Sequence, residues 1–232
     1  MMIALIADIH GNLPALRAVL DDIDRSAARQ IVFLGDVAGY YPQLDECVDL
    51  LRARAITGVR GNHDTYILEN IPCPRSDSAN RCLDHQRARL RPQTLQWLGT
   101  LALSATVAGV SMVHAGWHDP LDEYLIPTDD YFRALPGRAF ASAHTHVQYV
   151  WQGASTVYCN PGSVGQPRDG NPDAAYALWD GEAFHLRRVP YPIDQTETAM
   201  KQAGFSDYFY RNLRAGSRIG GRIDTQPIEP SG

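Results

Sequence analysis

Asp8, His10, Asp36, Asn62, His63, His114, His144 and His146 all stand at the ends of short apolar runs in a chain of 232 residues. His10 follows IALIAD, Asp36 ends IVFLGD, and Asn62 and His63 follow ITGVRG; His114 ends GVSMV, and His144 and His146 follow RAFASA. Histidines scattered over a surface or core would not keep stopping strands in this way. Imidazole, carboxylate and amide oxygen together suit borderline divalent metals such as manganese, iron, zinc, nickel or cobalt. So many donors exceed one tetrahedral centre but suit two ions sharing a bridging carboxylate, the usual device for attack on phosphorus. Two divalent ions would outweigh the charges of Asp8 and Asp36, so such a site would draw a phosphate although the chain carries a net charge of −5.

The apolar runs read as buried strands whose carboxyl ends open on the site. Between them, Asn12 caps a helix with Pro14 in its first turn and Leu13, Leu16, Leu20 and Ile23 on its buried face. Residues 43–54 give a second helix with Leu44, Cys47, Val48 and Leu51 on one side. A weaker third strand ends at Asn62 and His63. This β-α-β-α-β order predicts a parallel sheet with crossover helices. Residues 65–100 change character: the loop IPCPRSDSAN is followed by helical stretches around 79–91 and 92–99, an inserted helical segment able to overhang the strand ends. Strands are expected at 101–107, 109–115, 138–143, 147–152, 155–159, 174–180 and 183–189, as a second sheet packed on the first. A helix is expected over 200–214. Residues 1–215 read as a single domain and 216–232 as a flexible tail.

Composition narrows the partners. With 44% hydrophobic and 20% charged residues and an acidic balance, the chain gives no reason to expect a nucleic-acid duplex or an anionic membrane. No apolar stretch approaches the length needed to span a bilayer. The first strand starts at the opening methionine with no basic region before it, so no secretory leader is expected. Cys47, Cys73, Cys82 and Cys159 lack metal or redox spacing and read as reduced thiols of a cytoplasmic protein. Nothing in the sequence fixes an oligomeric state.

The blocks DIH, GD, GNHD, H and HTH, in this order, resemble the calcineurin-like metallophosphoesterase superfamily. DIHGNLPALRAVL, GDVAGYYP, DPLDEYL and NPGSVGQPRDG resemble its bacterial and archaeal predicted phosphodiesterase branch, over about residues 2–190. The resemblance implies an α/β fold: a four-layer α/β/β/α sandwich of two mixed sheets flanked by helices. It also implies two divalent ions per chain, manganese first among the candidates. Asp8, His10 and His146 would hold the first ion, Asn62, His114 and His144 the second, and Asp36 would bridge. A metal-bridging hydroxide would then attack phosphodiesters or nucleotide-type esters and anhydrides, making the chain a metal-dependent phosphoric ester hydrolase. His63 would assist the leaving oxygen as a general acid or transition-state donor. Asp64 would either orient His63 or cap a helix starting at Thr65.

Departures from the family set the alternatives. After Asp36 the chain reads Val37, Ala38, Gly39, Tyr40, without the Asp-Arg pair of protein Ser/Thr phosphatases, which argues against that activity. Ala143 replaces a usual glycine, and AGWH follows the fourth block where many relatives have Ser-Pro-Arg. Asn12, Tyr40, Trp117 and Arg168 are therefore the candidates to contact substrate, with Trp117 as a stacking surface and the backbone of NPGSVGQPRDG beside Arg168 bordering the phosphate. The alternatives are a phosphomonoesterase or a scaffold that keeps the fold without catalysis. A scaffold is expected to lose ligands, and this chain keeps them all.

Overall fold

The computed structural model describes residues 1–226. β1 (Ile3–Ile6) is buried on both faces, and its side chains split with period two. Ile3 and Leu5 point into the core between two sheets, while Ala4 and Ile6 point to the core beneath the helices. α1 (Leu13–Asp24) starts where Asn12 Oδ1 accepts the Ala15 N–H at 3.3 Å, and it buries the expected Leu13, Leu16, Leu20 and Ile23. β2 (Gln30–Phe33) pairs parallel with β1, and α2 (Leu44–Ala53) buries Leu44, Cys47, Val48 and Leu51 as the pattern requires.

The third strand is shorter than its sequence suggests. β3 covers only Thr57–Gly58, and α3 (Asn62–Leu68) begins at Asn62, so Asn62 and His63 form a first helical turn and not a strand end. The inserted segment contains α4 (Asp77–Arg87) and α5 (Pro92–Leu98), close to the expected positions. β4 (Ser104–Val107), β5 (Val110–Val113), α6 (Asp129–Phe132), β6 (Ala139–Ala141), β7 (Tyr149–Gln152) and β8 (Val157–Asn160) follow. β9 (Ala174–Trp179) and β10 (Phe184–Val189) complete the strands.

Two mixed five-stranded sheets result, ordered β10-β9-β1-β2-β3 and β4-β5-β6-β8-β7. β9 and β10 thus extend the first sheet, not the second, because β9 pairs antiparallel with the open edge of β1. Their facing sides share one core of Ile3, Leu5, Val32, Met112, Ala141 and Trp179 among others. Ala143 joins that core, so its extra methyl is simply packed between the sheets. α1 and α2 cover the first sheet; the second is covered by the short α6 and its loops, through Leu125, Phe132, Phe140, Tyr149 and Tyr158. The four-layer sandwich holds, with a thin fourth layer.

The helix expected at 200–214 is displaced. α7 spans Ile193–Gln202, Gly204 leaves it with φ +86°, and 3-10 turns cover Asp207–Phe209 and Arg211–Ala215. Residues 216–226, expected as tail, run back along the sandwich: Ser217 is buried, the Gly170 N–H donates to Gly216 C=O at 2.9 Å, and the Asp224 N–H donates to Arg168 C=O at 2.7 Å. Residues 227–232 lie outside the described residues. Among the described residues no helix is long and apolar enough to cross a membrane.

Candidate metal centre and active site

The carboxyl ends of β1, β2, β5 and β6 converge with the start of α3, and the backbone there is unusual. Asp8 (φ +50°), His10 (+53°), Asp36 (+63°), His144 (+66°) and His146 (+62°) are all left-handed, five of the eight non-glycine residues in that region among the described residues. Such backbone costs about 1 kcal/mol or more per residue and persists where surroundings over-determine it. Here they do. His10 N–H donates to Asp36 C=O, Asp8 N–H to Gly35 C=O, and Gly165 N–H to Asp8 C=O. Close approach also dictates the glycines of these blocks. A Cβ on Gly61 would lie 2.0 Å from Asp36 Oδ1, and one on Gly39, at φ +138°, would lie 2.2 Å from His10 Nδ1.

Three imidazoles are oriented from behind. His10, His114 and His146 donate their Nδ1–H groups to the carbonyls of Ala38 (2.7 Å), Leu34 (2.8 Å) and Gln166 (2.7 Å). This fixes Nδ1–H as the donor and turns each Nε2 inward. Asp8 Oδ1 lies 3.8 Å from His10 Nε2 and 3.5 Å from His146 Nε2. Asp36 Oδ2 lies 3.5 Å from His114 Nε2 and 3.9 Å from His10 Nε2, while Asp36 Oδ1 accepts the His63 N–H at 2.9 Å. Asn62 Oδ1 is 3.0 Å from His114 Nε2 and 3.1 Å from His144 Nδ1.

This donor set fits divalent cations on two observations. The Nε2 lone pairs of His10 and His146 meet at 3.0 Å, an arrangement that needs a positive charge between or beside them. Among the described residues, both carboxyl oxygens of Asp8 are buried without a hydrogen-bond partner, as is His144 Nε2. The protonation balance agrees. Burial, with Asp36 adding to it, pushes Asp8 up to about 8 in the metal-free chain. Burial works against the imidazolium of His114, but Asp36 beside it prevails and lifts His114 to about 10. Burial also raises Asp36, yet His114, His63 and His10 together hold it below the usual carboxylate range. In the metal-free chain Asp8 thus keeps a proton and His114 is the cation that balances Asp36, and divalent ions bound here would displace both protons. Asp8, His10 and His146 form one possible ligand group, and Asp8, Asp36 and His114 another; His10, Asp36 and His63 lie equally close to one another.

A cavity of about 340 Å³ opens over this cluster, lined by Asp36, Tyr40, Asn62, His63, His144 and His146 on its floor. His63 sits against Tyr40 (5.2 Å between ring centroids), Tyr66 (5.6 Å) and His10 (5.0 Å), and its buried Nδ1 has no partner among the described residues. Burial holds its imidazole down at about 4. Asp64 does not address it. The Asp64 carboxylate accepts N–H groups from Asp36 (2.8 Å), Ala38 (3.0 Å) and Gly61 (3.0 Å), clamping the loop after β2 to the start of α3.

The residues expected at the substrate divide. Tyr40 and Arg168 line the cavity, the Arg168 guanidinium donating to Tyr40 OH at 3.0 Å and to Gln166 Oε1 at 2.8 Å. Asn12 does not reach it: its amide donates to Gly165 C=O and Tyr191 OH, and its oxygen accepts from Ala15 and Thr196, tying α1 to its neighbours. The backbone N–H groups of Val164, Gly165, Gln166 and Arg168 are likewise engaged, by Ala7, Asp8, Ser163 and His146. In NPGSVGQPRDG it is the Arg168 side chain, not the amides, that faces the cavity. Trp117 is also elsewhere, edge-on to Phe132 (5.8 Å) and Phe140 (5.1 Å), with its Nε1–H on Ser111 Oγ at 3.0 Å. Trp117→Ala is therefore expected to cost about 2 kcal/mol of stability in urea denaturation. It should not shift the ratio of kcat/KM between nucleotide and aryl substrates.

Three cavity residues carry no readable signal in the sequence. Tyr124, half-exposed, meets His144 edge-on at 4.8 Å; Arg75, from the loop before α4, lies 5.6 Å over the Tyr124 ring and pairs with Asp122; Arg218 comes from the C-terminal segment. The sequence offers only segments: DPLDEYL holds Tyr124, and IPCPRSDSAN, in the segment expected to overhang the strand ends, holds Arg75.

Residues 1–183 match the calcineurin-like phosphoesterase superfamily domain. The chain is 34% identical to the uncharacterised protein MJ0912 of Methanocaldococcus jannaschii, over 83% of this chain and 88% of that protein. It is 27% identical to phosphodiesterase YfcE of Escherichia coli, over 80% and 91% respectively. The crystal structure of a metallophosphoesterase from Sphaerobacter thermophilus matches it with a TM-score of 0.80 and 31% identity, covering 93% of this chain and 99% of that one.

Proposed function

We propose that this chain, which belongs to the calcineurin-like phosphoesterase superfamily, is a dinuclear metal-dependent hydrolase of phosphodiesters or nucleotide-type phosphate esters and anhydrides. That it is a phosphoester hydrolase follows from the family and from its phosphodiesterase relative; the two-metal chemistry and the diester preference are our reading. The observation that carries it is the inward-facing set of buried, unpartnered donors: the free carboxylate of Asp8 and the facing Nε2 atoms of His10 and His146.

Asp8, His10 and His146 would hold one ion, Asn62, His114 and His144 the other, and Asp36 would serve both. Divalent ions bound there would polarise the phosphoryl oxygens and acidify a water to act as the attacking group, manganese being the first candidate. The chain's own groups do the rest. The carbonyls of Ala38, Leu34 and Gln166 keep the imidazoles aimed without reorganisation. Arg168, buried and free of any carboxylate on its guanidinium among the described residues, offers charge-assisted bonds to a phosphoryl oxygen. His63, neutral at pH 7, donates a hydrogen bond to the departing oxygen. The four free, buried cysteines suit the reducing cytoplasm.

A diester monoanion needs only this one arginine beyond the metals, whereas a monoester dianion carries a further exposed charge. With Mn²⁺, bis-p-nitrophenyl phosphate, dinucleoside polyphosphates or cyclic nucleotides should be turned over with higher kcat/KM than p-nitrophenyl phosphate. Metal analysis of protein purified without chelator should find about two ions per chain. A higher kcat/KM for the monoester with Mn²⁺, Ni²⁺ and Co²⁺ alike would overturn the diester reading, and fewer than one ion per chain after adding Mn²⁺ would favour a scaffold.

A further inference from the structure

The family match ends at residue 183, but the cavity is completed by residues beyond it. Arg218 and Ile219 close its outer side. Arg218 and Tyr124 also border an adjoining cavity of about 380 Å³ against Leu125 and Val147, so the space over the metal centre continues outward past these two side chains.

The arginines around this space are not equally matched. Arg75 is paired one to one with Asp122. Among the described residues the Arg168 side chain bonds only to Gln166 and Tyr40. Arg218 shares the single carboxylate of Asp224 with Arg222, which leaves one positive charge in excess among the described residues. Arg218 also keeps its side chain largely shielded, at 29% exposure, where an oxyanion would be held more strongly than in open water. The inner and outer cations are tied together by main chain. Asp224 N–H donates to Arg168 C=O, Gly170 N–H to Gly216 C=O, and Arg218 N–H to Arg222 C=O at 2.9 Å. The segment that carries Arg218 is thus pinned through its main chain to the loop that carries Arg168. The half-exposed Tyr124 ring lines both cavities, a wall for whatever connects two anions.

We propose that Arg218 forms a second oxyanion subsite: the substrate carries, on a group attached to the phosphate at the metal centre, a further anionic group, a phosphate or a carboxylate. This rests on the phosphoester hydrolase reading above and adds to it the class of substituent. Simple aryl diesters leave the subsite empty of charge, and substrates such as nucleoside oligophosphates or carboxylate-bearing phosphoesters fill it. The C-terminal segment is then part of the substrate site.

The test is binding, not turnover. Mn²⁺-loaded protein is titrated calorimetrically with two matched pairs of product analogues whose C–P bonds are not hydrolysed: phenylphosphonate against 4-phosphonobenzoate, and benzylphosphonate against 4-(phosphonomethyl)benzoate. In at least one pair the carboxylate-bearing member should bind about tenfold tighter or more, as a charge-assisted bond would give. Arg218→Gln should bring that ratio to about one, and Arg218→Lys should retain most of it, with thermal denaturation showing both variants folded. A ratio near one in the wild type, or one that survives Arg218→Gln, overturns the subsite and leaves the hydrolase reading standing. Failure of every phosphonate to bind overturns both.

Discussion

Asp36→Asn protein should lose at least about 10³-fold in kcat and retain less than one metal ion per chain after desalting. Asp36 faces imidazoles of both halves of the cluster. Its Oδ2 faces His114 at 3.5 Å and His10 at 3.9 Å, and its Oδ1 is held by the His63 N–H at 2.9 Å. Asparagine can keep the Oδ1 bond, so the loop after β2 and the start of α3 should stay in place, clamped by Asp64. What changes is the atom facing the imidazoles: an amide NH₂ replaces an anionic oxygen, and a donor cannot ligate a cation. Metal content by mass spectrometry, measured beside kcat with bis-p-nitrophenyl phosphate, separates this from unfolding. Two ions per chain retained in Asp36→Asn would show that Asp36 does not bridge.

Much of this site is legible in the sequence because strand ends are legible. An apolar run that stops at a polar donor marks both a buried strand and the place where its loop begins, and β1, β2, β5 and β6 obey this. Asn62 and His63 reach the right place by a different route, since ITGVRGN reads as strand while only Thr57–Gly58 forms β3, with Val59 in a single bridge to Ala102, and Gly61 packs closely on Asp36 where the helix starts. The left-handed backbone of Asp8, His10, Asp36, His144 and His146 has no signature, because φ above zero is ordinarily read from glycine. Here neighbouring loops impose it on residues retained for their side chains. Trp117 misleads for the opposite reason: an aromatic next to a ligand histidine invites a stacking role, but its partners Phe132 and Phe140 lie on α6 and β6, far along the chain. For want of periodicity the outer wall is legible only as a segment able to overhang the site, without its residues. Arg75, Tyr124 and Arg218 come from three irregular segments, and only tertiary structure brings them to one cavity.

The floor of the site and its wall therefore differ in origin. The floor is rigid, built from strand ends whose side chains are cross-braced to backbone carbonyls. The wall is assembled from the segment between α3 and α4, the loop after β5 and the C-terminal residues. Changes in the floor should act on metal content, and changes in the wall on which substrates bind.

His63 is the floor residue for which those two effects should part. His63→Ala is expected to keep both ions and to lower kcat by about 10²–10³-fold, the usual effect of removing one preorganised donor to developing charge. Its link to Asp36 runs through the backbone N–H, which alanine retains, so the bridging carboxylate should not move. The side chain itself lines the cavity, and its buried Nδ1 makes no bond among the described residues. Burial first, and Arg168 among the nearby cations, keep the imidazole near 4, so at pH 7 it is neutral. Only the opposing pull of Asp36 favours its protonation. A neutral imidazole donates a hydrogen bond but does not hand over a proton as readily as an imidazolium. The loss should therefore be similar for a p-nitrophenyl diester, whose leaving group needs no proton, and for an alkyl or nucleoside diester, whose leaving group does. A general acid would instead show a large loss only with the poor leaving group. Because His63 also lies near His10 and Asp36 in ligand-like proximity, metal analysis accompanies the kinetics. Loss of an ion from His63→Ala would make it a ligand, and an unchanged kcat on both substrates would remove it from the chemistry altogether.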